Sequence, residues 1–260
     1  MTRIIAVLGG KGGVGKTTTS INLGAAFNYF GRASTIVDTN LTTPNVGLYL
    51  GVPVVPVTLH DVLRGKKGIK EAVYMHKSGT RIVPASIALQ DLKQVDPKRL
   101  SRCLHGLKGT VEFVFLDVAA GLGREAIAAI KAADEILVVT NPELPAVTDA
   151  LKSIKLCEEM KKKIIGAIVV KTNPKNADIP IKDIEEMLEV PIIKVVPEDR
   201  AVKESHVLKD AVVHTHPRSA AAIQYKKLAA ELLGVEDYKE NVEREPTSVW
   251  DWFGKFLGFK

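Results

Sequence analysis

The residues best equipped for chemistry stand near the start of the chain, in the run Gly9-Gly10-Lys11-Gly12-Gly13-Val14-Gly15-Lys16-Thr17-Thr18. Gly10, four further residues and then Gly15-Lys16-Thr17 satisfy a phosphate-binding loop pattern. In it, glycines let backbone N–H groups close around a polyphosphate on a helix N-terminus. Lys16 then holds the β and γ phosphates of a nucleoside triphosphate, and the Thr17 hydroxyl ligates Mg²⁺. Gly10, Gly12 and Gly15 also fit G-x-G-x-x-G, with Asp38 about 20 residues on, as in a dinucleotide fold. Lys16-Thr17 directly after the last glycine has no use there, and a second aspartate, Asp117, ends a later apolar run. Together these favour a triphosphate.

The elements that must hold these groups follow from the patterning. Residues 4–8 read as a buried strand feeding the loop, and residues 16–30 as the helix leaving it. Residues 34–37 are an apolar strand ending at Asp38, which puts a carboxylate at a strand's carboxyl end beside the loop, where parallel sheets place ligand contacts. Residues 38–51, rich in Thr, Pro, Asn and Gly, read as a loop that senses the γ-phosphate. Val111-Glu112-Phe113-Val114-Phe115-Leu116-Asp117 has the form of a parallel strand covered on both faces. Asp117 is then placed toward the Mg²⁺ shell, the alternative being an N-cap for a helix near Arg124. Ala119-Ala120-Gly121-Leu122-Gly123 makes a second mobile loop whose glycines admit close backbone approach.

Beyond it, strand-like runs at 134–140, 164–170 and 192–196 alternate with helix-like runs at 144–160, 180–188 and 219–233, a βαβ series. Smaller signals mark a capped helix at 58–63, a strand at 81–84 and a covering helix at 97–107. The expected fold is α/β: a doubly wound, mostly parallel sheet with helices on both faces. His60 and His76 lack partners at metal-ligand spacing and read as surface or packing residues.

With 260 residues, 46 % of them hydrophobic and 25 % charged, the chain can bury one full α/β core. Cys103 and Cys157 stand alone without a CxxC, which excludes a cysteine metal knuckle or a dithiol redox pair. The net charge is +6, and residues 236–260 hold six acids against four bases, so the body is the more basic part. An anionic partner surface, lipid or nucleic acid, fits that balance. The chain opens directly on a strand, and no apolar run approaches the ~20 residues that span a bilayer. The expected location is cytoplasmic.

Lys11 to Thr18 resembles the deviant Walker A box of the MinD/ParA family of ATPases, and the likeness, nearest to archaeal members, runs along essentially the whole chain. It includes Asn45 and Gly51, Val57-Thr58-Leu59-His60-Asp61-Val62-Leu63, Ala120-Gly121-Leu122, Asn141-Pro142-Glu143, Thr148-Asp149 and Pro197-Glu198-Asp199. The resemblance implies an ATPase that dimerises around two ATP molecules and binds membrane as a dimer, in the spatial positioning of cell division or another cell-surface assembly. Lys11 of each subunit would reach the phosphates bound by the other. Nucleotide contacts would come from residues 10–18 and from Pro197, Glu198 and Asp199 beside the adenine, with Thr17, Asp38 and Asp117 at Mg²⁺ and Asn45 and Gly121 in the two switches.

This chain departs from the family in three places. It reads Asp38-Thr39-Asn40 where the family has Asp-x-Asp. Asn40 can orient the attacking water but cannot take its proton, a base contribution that is often ~10²–10⁴-fold. The catalytic set is therefore Lys11, Lys16 and Asn40, with slow or partner-dependent hydrolysis. Val118-Ala119 stands where a Pro-containing pair is usual, and Val170-Lys171 where an Asn-Arg pair contacts adenine.

Residues 1–234 thus read as the ATPase domain and 235–247 as a charged linker. Residues 248–260 read as an amphipathic membrane-targeting helix with Val249, Trp250, Trp252, Phe253, Phe256, Leu257 and Phe259 on one side. The alternative is a tail packed back on its own domain. The expected partners are a second copy in the presence of ATP, an anionic membrane, and a protein partner or cargo that the sequence does not identify. Nucleic acid ranks behind these, and the expected site of action is reversibly peripheral, on the inner face of the cell membrane. Two rivals remain: a ParA-like DNA- or cargo-partitioning ATPase, and a non-hydrolysing ATP-binding scaffold.

Overall fold

Alternation along the strands decides the architecture, because successive side chains of a strand point to opposite faces. The computed structural model describes residues 2–92, 95–173, 179–235 and 238. In β1 (Arg3–Leu8), Ile4, Ala6 and Leu8 enter one core layer, and Ile5 and Val7 enter the other. There follow α1 (Lys16–Tyr29), β2 (Ser34–Asp38), α2 (Val46–Tyr49), α3 (Leu59–Arg64), β3 (Tyr74–Met75), β4 (Arg81–Val83) and α4 (Leu100–Leu104). The chain continues through β5 (Phe113–Asp117), α5 (Arg124–Ala132), β6 (Glu135–Thr140), α6 (Leu144–Glu159), β7 (Lys163–Thr172) and α7 (Ile181–Leu188). It closes with β8 (Ile192–Pro197), α8 (Arg200–Val207), α9 (Val212–Thr215) and α10 (Ala220–Leu233).

The eight strands form one sheet in the order β3-β4-β2-β5-β1-β6-β7-β8, parallel throughout except for the edge pair β3–β4. One face packs on Leu59, Leu104, Ile130, Ile154 and Ile184 of α3 to α7, the other on Phe27, Ala201, Val212 and Leu228 of α1 and α8 to α10. Phe27 meets the rings of Phe113 and Phe115 edge to face at 4.5 and 5.0 Å, the favoured aromatic geometry. This is the doubly wound sheet expected from the βαβ series.

Three stretches differ from the expectation. The amphipathic run 97–107 is split, with α4 flanked by 3₁₀ turns at Pro97–Arg99 and His105–Leu107. Gly106 packs so closely that a Cβ there would lie 2.8 Å from Ile69. The loop 38–51 contains α2, and residues 200–215 contain α8 and α9, none of which has a local signal strong enough to predict. Among the described residues no helix is long and apolar enough to cross a membrane. Val249, Trp250, Trp252, Phe253, Phe256, Leu257 and Phe259 lie outside the described residues.

The sheet order fixes where a ligand sits. β1 is central, paired with β5 on one side and β6 on the other. The loop leaving its carboxyl end therefore opens at the switch point where the strand order reverses, the usual crevice of an open α/β sheet. Register then sets Asp38 of β2 directly opposite Asp117 of β5, and Asp117 opposite Val7 of β1.

Candidate functional site

The loop between β1 and α1 is shaped by glycine. Gly13 and Gly15 have φ of 78° and 114°, left-handed values at which other residues are strained. At Gly10 a Cβ would lie 2.4 Å from the Asp149 carbonyl oxygen, so the loop backbone rests directly on α6. Lys16, in the first turn of α1, is buried, and its Nζ donates to the Lys11 carbonyl at 3.1 Å. Burial pulls its pKa below the usual lysine range, with the Asp117 charge opposing.

Two acids stand under the loop. The Thr17 hydroxyl donates to Asp117 Oδ2 at 2.6 Å, and the Ser20 hydroxyl to Asp117 Oδ1 at 3.2 Å. Burial pushes the Asp117 pKa up to about 6. Asp38 is pushed well above the carboxylate range by burial and then by the Asp117 charge, against the pull of three backbone N–H donors. Those donors are Asn40 at 3.2 Å, Asn45 at 2.8 Å and Val46 at 2.9 Å, so the Asp38 carboxylate fastens both ends of the first switch. A hydroxyl and two buried carboxylates whose charge is poorly compensated are hard oxygen donors that fit Mg²⁺ with its remaining shell from phosphate and water. Gly123, not Asp117, precedes α5, which disposes of the N-cap alternative.

The switches are wired into this floor. Asn40 Oδ1 accepts from the Thr43 N–H and hydroxyl at 3.1 Å each, and its Nδ2 donates to the Thr43 carbonyl at 2.6 Å. Three of the amide's four hydrogen-bonding positions thus close a turn, and one Nδ2 N–H is left to orient a water while those bonds hold. Asn45 Nδ2 donates to the same Thr43 carbonyl at 2.8 Å. In the second switch the Gly121 N–H donates to the Gly10 carbonyl at 2.9 Å, and Gly121 has φ of 75°.

A cleft of about 620 Å³ runs from this loop to the end of β8, taking in Gly12, Lys16, Thr17, Thr18, Asn40, Asn45 and then Pro197, Glu198 and Asp199. Asp199 caps α8 through Oδ1 to the Ala201 N–H at 2.9 Å, while its Oδ2 accepts from Ala221 at 2.9 Å. The far end has apolar walls from Val170 and Val196, carries Lys171 where the resemblance put it, beside the base, and adds three residues that the sequence did not point to: Tyr49, Lys203 and His206. Tyr49 and His206 hold their rings 4.4 Å apart. Lys171, in the left-handed region at φ 58°, donates from Nζ to the Gly13 carbonyl at 2.7 Å, so it braces the loop.

Lys11 is held within its own chain. Its Nζ pairs with Glu143 Oε2 at 2.9 Å, and Glu143 Oε1 accepts from Asn141 Nδ2 at 2.9 Å. Glu143 immediately precedes α6. The sequence flagged Asn141-Pro142-Glu143 without a role; the structure makes it the holder of the loop lysine.

A parallel sheet that delivers a glycine loop, a lysine and a threonine onto a helix N-terminus, over two strand-end aspartates, defines the P-loop nucleotide-binding class. Within it, this chain belongs to the CobQ/CobB/MinD/ParA nucleotide-binding domain family, whose model matches residues 5–210. An ATP-binding protein of Methanocaldococcus jannaschii is 37 % identical over 257 residues, covering 99 % of this chain and 97 % of that one. The crystal structure of the Pyrococcus furiosus cell division ATPase MinD is similar with a TM-score of 0.86 at 35 % identity, over 90 % of this chain and 100 % of that one. The septum-site-determining protein MinD of Pyrococcus horikoshii, complexed with Mg-ADP, gives 0.85 at 36 % identity, over 89 % and 96 %.

Proposed function

We propose that this protein is an ATPase switch of the MinD type: ATP and Mg²⁺ assemble a homodimer, the paired C-terminal tails hold the dimer on an anionic membrane, and hydrolysis releases it. The observation that carries the reading is the Thr17–Asp117 contact, 2.6 Å long and set against Asp38 beneath the loop. It is a ready magnesium floor at the mouth of a cleft that reaches to Pro197–Asp199. The loop N–H groups and Lys16 bind the β and γ phosphates. Thr17 and Asp117 hold the ion, which supplies charge neutralisation on the phosphates, and Asp38 keeps the first switch within reach of the γ position. Val170 and Val196 offer apolar walls to the base.

Lys11 supports the dimer half of the proposal. Its pairing with Glu143 is about half exposed, and such pairs are worth only ~0–1 kcal/mol, so a partner's phosphates can take the lysine over. Each large tail side chain contributes at most ~1.5–3 kcal/mol on burial, offset by the ordering of the tail. One tail therefore binds weakly, and two on a dimer bind strongly because the second contact is intramolecular. The proposed place of action is the inner face of the cell membrane, in positioning the division site or another surface assembly. A second reading, an ATP-binding scaffold that does not turn over, is favoured by the closed Asn40–Thr43 turn.

The test is liposome co-sedimentation with ATP, ADP or no nucleotide, on the full chain and on one ending at Thr247, with phosphate release followed in the same tubes. ATP-dependent pelleting that truncation abolishes is the expected result, with slow phosphate release. Pelleting alike in all nucleotide states, or absent from the full chain, overturns the membrane switch. Nucleotide-gated pelleting with no phosphate release selects the scaffold.

A further inference from the structure

The second switch, residues 119–123, is flanked on both sides by ties to the first. Just before it, the Asp117 carbonyl accepts from the Thr39 N–H at 3.0 Å and from the Thr39 hydroxyl at 2.8 Å. Just after it stands Glu125, in the first turn of α5. Glu125 Oε2 accepts from the Leu41 N–H at 3.0 Å, and Oε1 from the Thr42 hydroxyl at 2.6 Å. The Leu41 side chain is itself buried in the core layer of Leu59, Leu63 and Leu100, so the middle of the first switch is held from two sides. Between the two ties lies Asn40, whose turn with Thr43 faces the nucleotide cleft. Among the described residues no lysine or arginine pairs with Glu125. Its charge is answered by the switch's own donors and by the N-terminal end of α5, where a helix favours an anion.

We propose that Glu125 is a positioning residue that makes the two switches one mechanical unit. A displacement of the second switch moves the first turn of α5, and the carboxylate carries that movement into Leu41 and Thr42 and so to the Asn40–Thr43 turn. This rests on the nucleotide-switch reading above and names the device that couples its two halves. A carboxylate that merely stabilised the start of α5 would need neither of these contacts and would leave the two loops independent.

The experiment reads amide hydrogen exchange at residues 39–46 of the nucleotide-free full chain in a double-mutant cycle. Glu125→Gln keeps one acceptor and turns an N–H₂ toward the second donor. Gly121→Ala strains the second switch, because alanine is disfavoured at φ 75°. Gly121→Ala is expected to speed Leu41 exchange at least tenfold in the native background and not further in Glu125→Gln, while Asn45 and Val46, held by Asp38, stay protected. Thr42→Val, which removes a single donor at an exposed position, should give a smaller effect of the same sign and guards against a folding artefact. With ATP, Glu125→Gln should lower kcat about tenfold and leave KM within twofold, because no loop contact to the phosphates is touched. Equal effects of Gly121→Ala in both backgrounds, or a KM rise at constant kcat, overturn the coupling. Failure of the native chain to bind ATP overturns the proposed function instead, while the exchange cycle still decides the tie.

Discussion

Replacing Asn40 by aspartate separates what the side chain does for the fold from what it withholds from chemistry. The Asn40 amide makes three hydrogen bonds to Thr43, and only the 2.6 Å bond from Nδ2 to the carbonyl needs an N–H. In Asn40→Asp that bond is lost and a carboxylate oxygen faces the Thr43 carbonyl. The lost bond is worth about 1 kcal/mol net, and the Thr43 carbonyl keeps the Asn45 Nδ2 donor at 2.8 Å, so it is not left unpaired. About 1 kcal/mol translates to about 2–4 °C of Tm for a domain of this size. The nucleotide-free variant should therefore melt about 2–4 °C lower, by calorimetry or circular dichroism at neutral pH. Turnover should move the other way. A carboxylate at this position supplies a proton acceptor, for which ~10²–10⁴-fold is typical, but phosphoryl transfer leans on positioning and charge, so at least a tenfold rise in phosphate release is the expectation. A lower melting point with unchanged turnover would refute the assignment of position 40 to the attacking water. Unchanged melting would refute the worth given to the Thr43 turn.

Two further outcomes follow from individual contacts. Glu143→Gln removes the charge that holds Lys11; since that pair is half exposed, stability should change by less than ~1 kcal/mol. The freed lysine should lower the ATP concentration needed for dimerisation, read by light scattering, and an unchanged dimerisation curve would mean that Glu143 does not compete for Lys11. His60 is buried, with Nδ1 accepting the Ser86 N–H at 3.0 Å, and burial pulls its pKa below the ordinary histidine value of 6.5. The unfolded state binds the proton more readily, so His60 stabilises the fold fully above pH 6.5 and this contribution is lost as pH falls through that value toward the lowered one. His60→Asn, whose Oδ1 can still accept from Ser86, should flatten the acid limb of the stability profile. His76 and His206, shifted down for the same reason, leave part of it in place, and an acid limb identical to that of the native chain would contradict the reading.

Much of the site was legible because it is local. The loop glycines, Lys16 and Thr17 are contiguous, and β2 and β5 each announce their aspartate as the polar end of an apolar run. What stayed hidden is held by partners distant in sequence. α2 is four residues long, and its first amides are fixed by Asp38, a contact with no signature in its own composition. Tyr49 and His206 reach the cleft only after α2 and α8 have packed, and Lys171, expected beside the base, braces the Gly13 carbonyl from a left-handed backbone that a lysine gives no reason to expect. Glu125 reads as an ordinary first-turn helix acid until the fold brings Leu41 and Thr42 to it. The amphipathic run 97–107 was over-read for the opposite reason: its periodicity is real, but Gly106 sits against Ile69 and ends the regular helix early.

The central place of β1 has a consequence for the order in which this protein comes into being. The strand that feeds the nucleotide loop leaves the ribosome about a hundred residues ahead of its hydrogen-bonding neighbours, which begin only at Phe113 and Glu135. The helix packed along α1, α10, is the last element among the described residues. Such non-local pairing delays folding until late residues arrive. The nascent loop therefore spends most of synthesis without walls, and ATP, however abundant, cannot rescue a shortened chain by binding to it. A finished nucleotide site is in this way a certificate that the whole domain has been made.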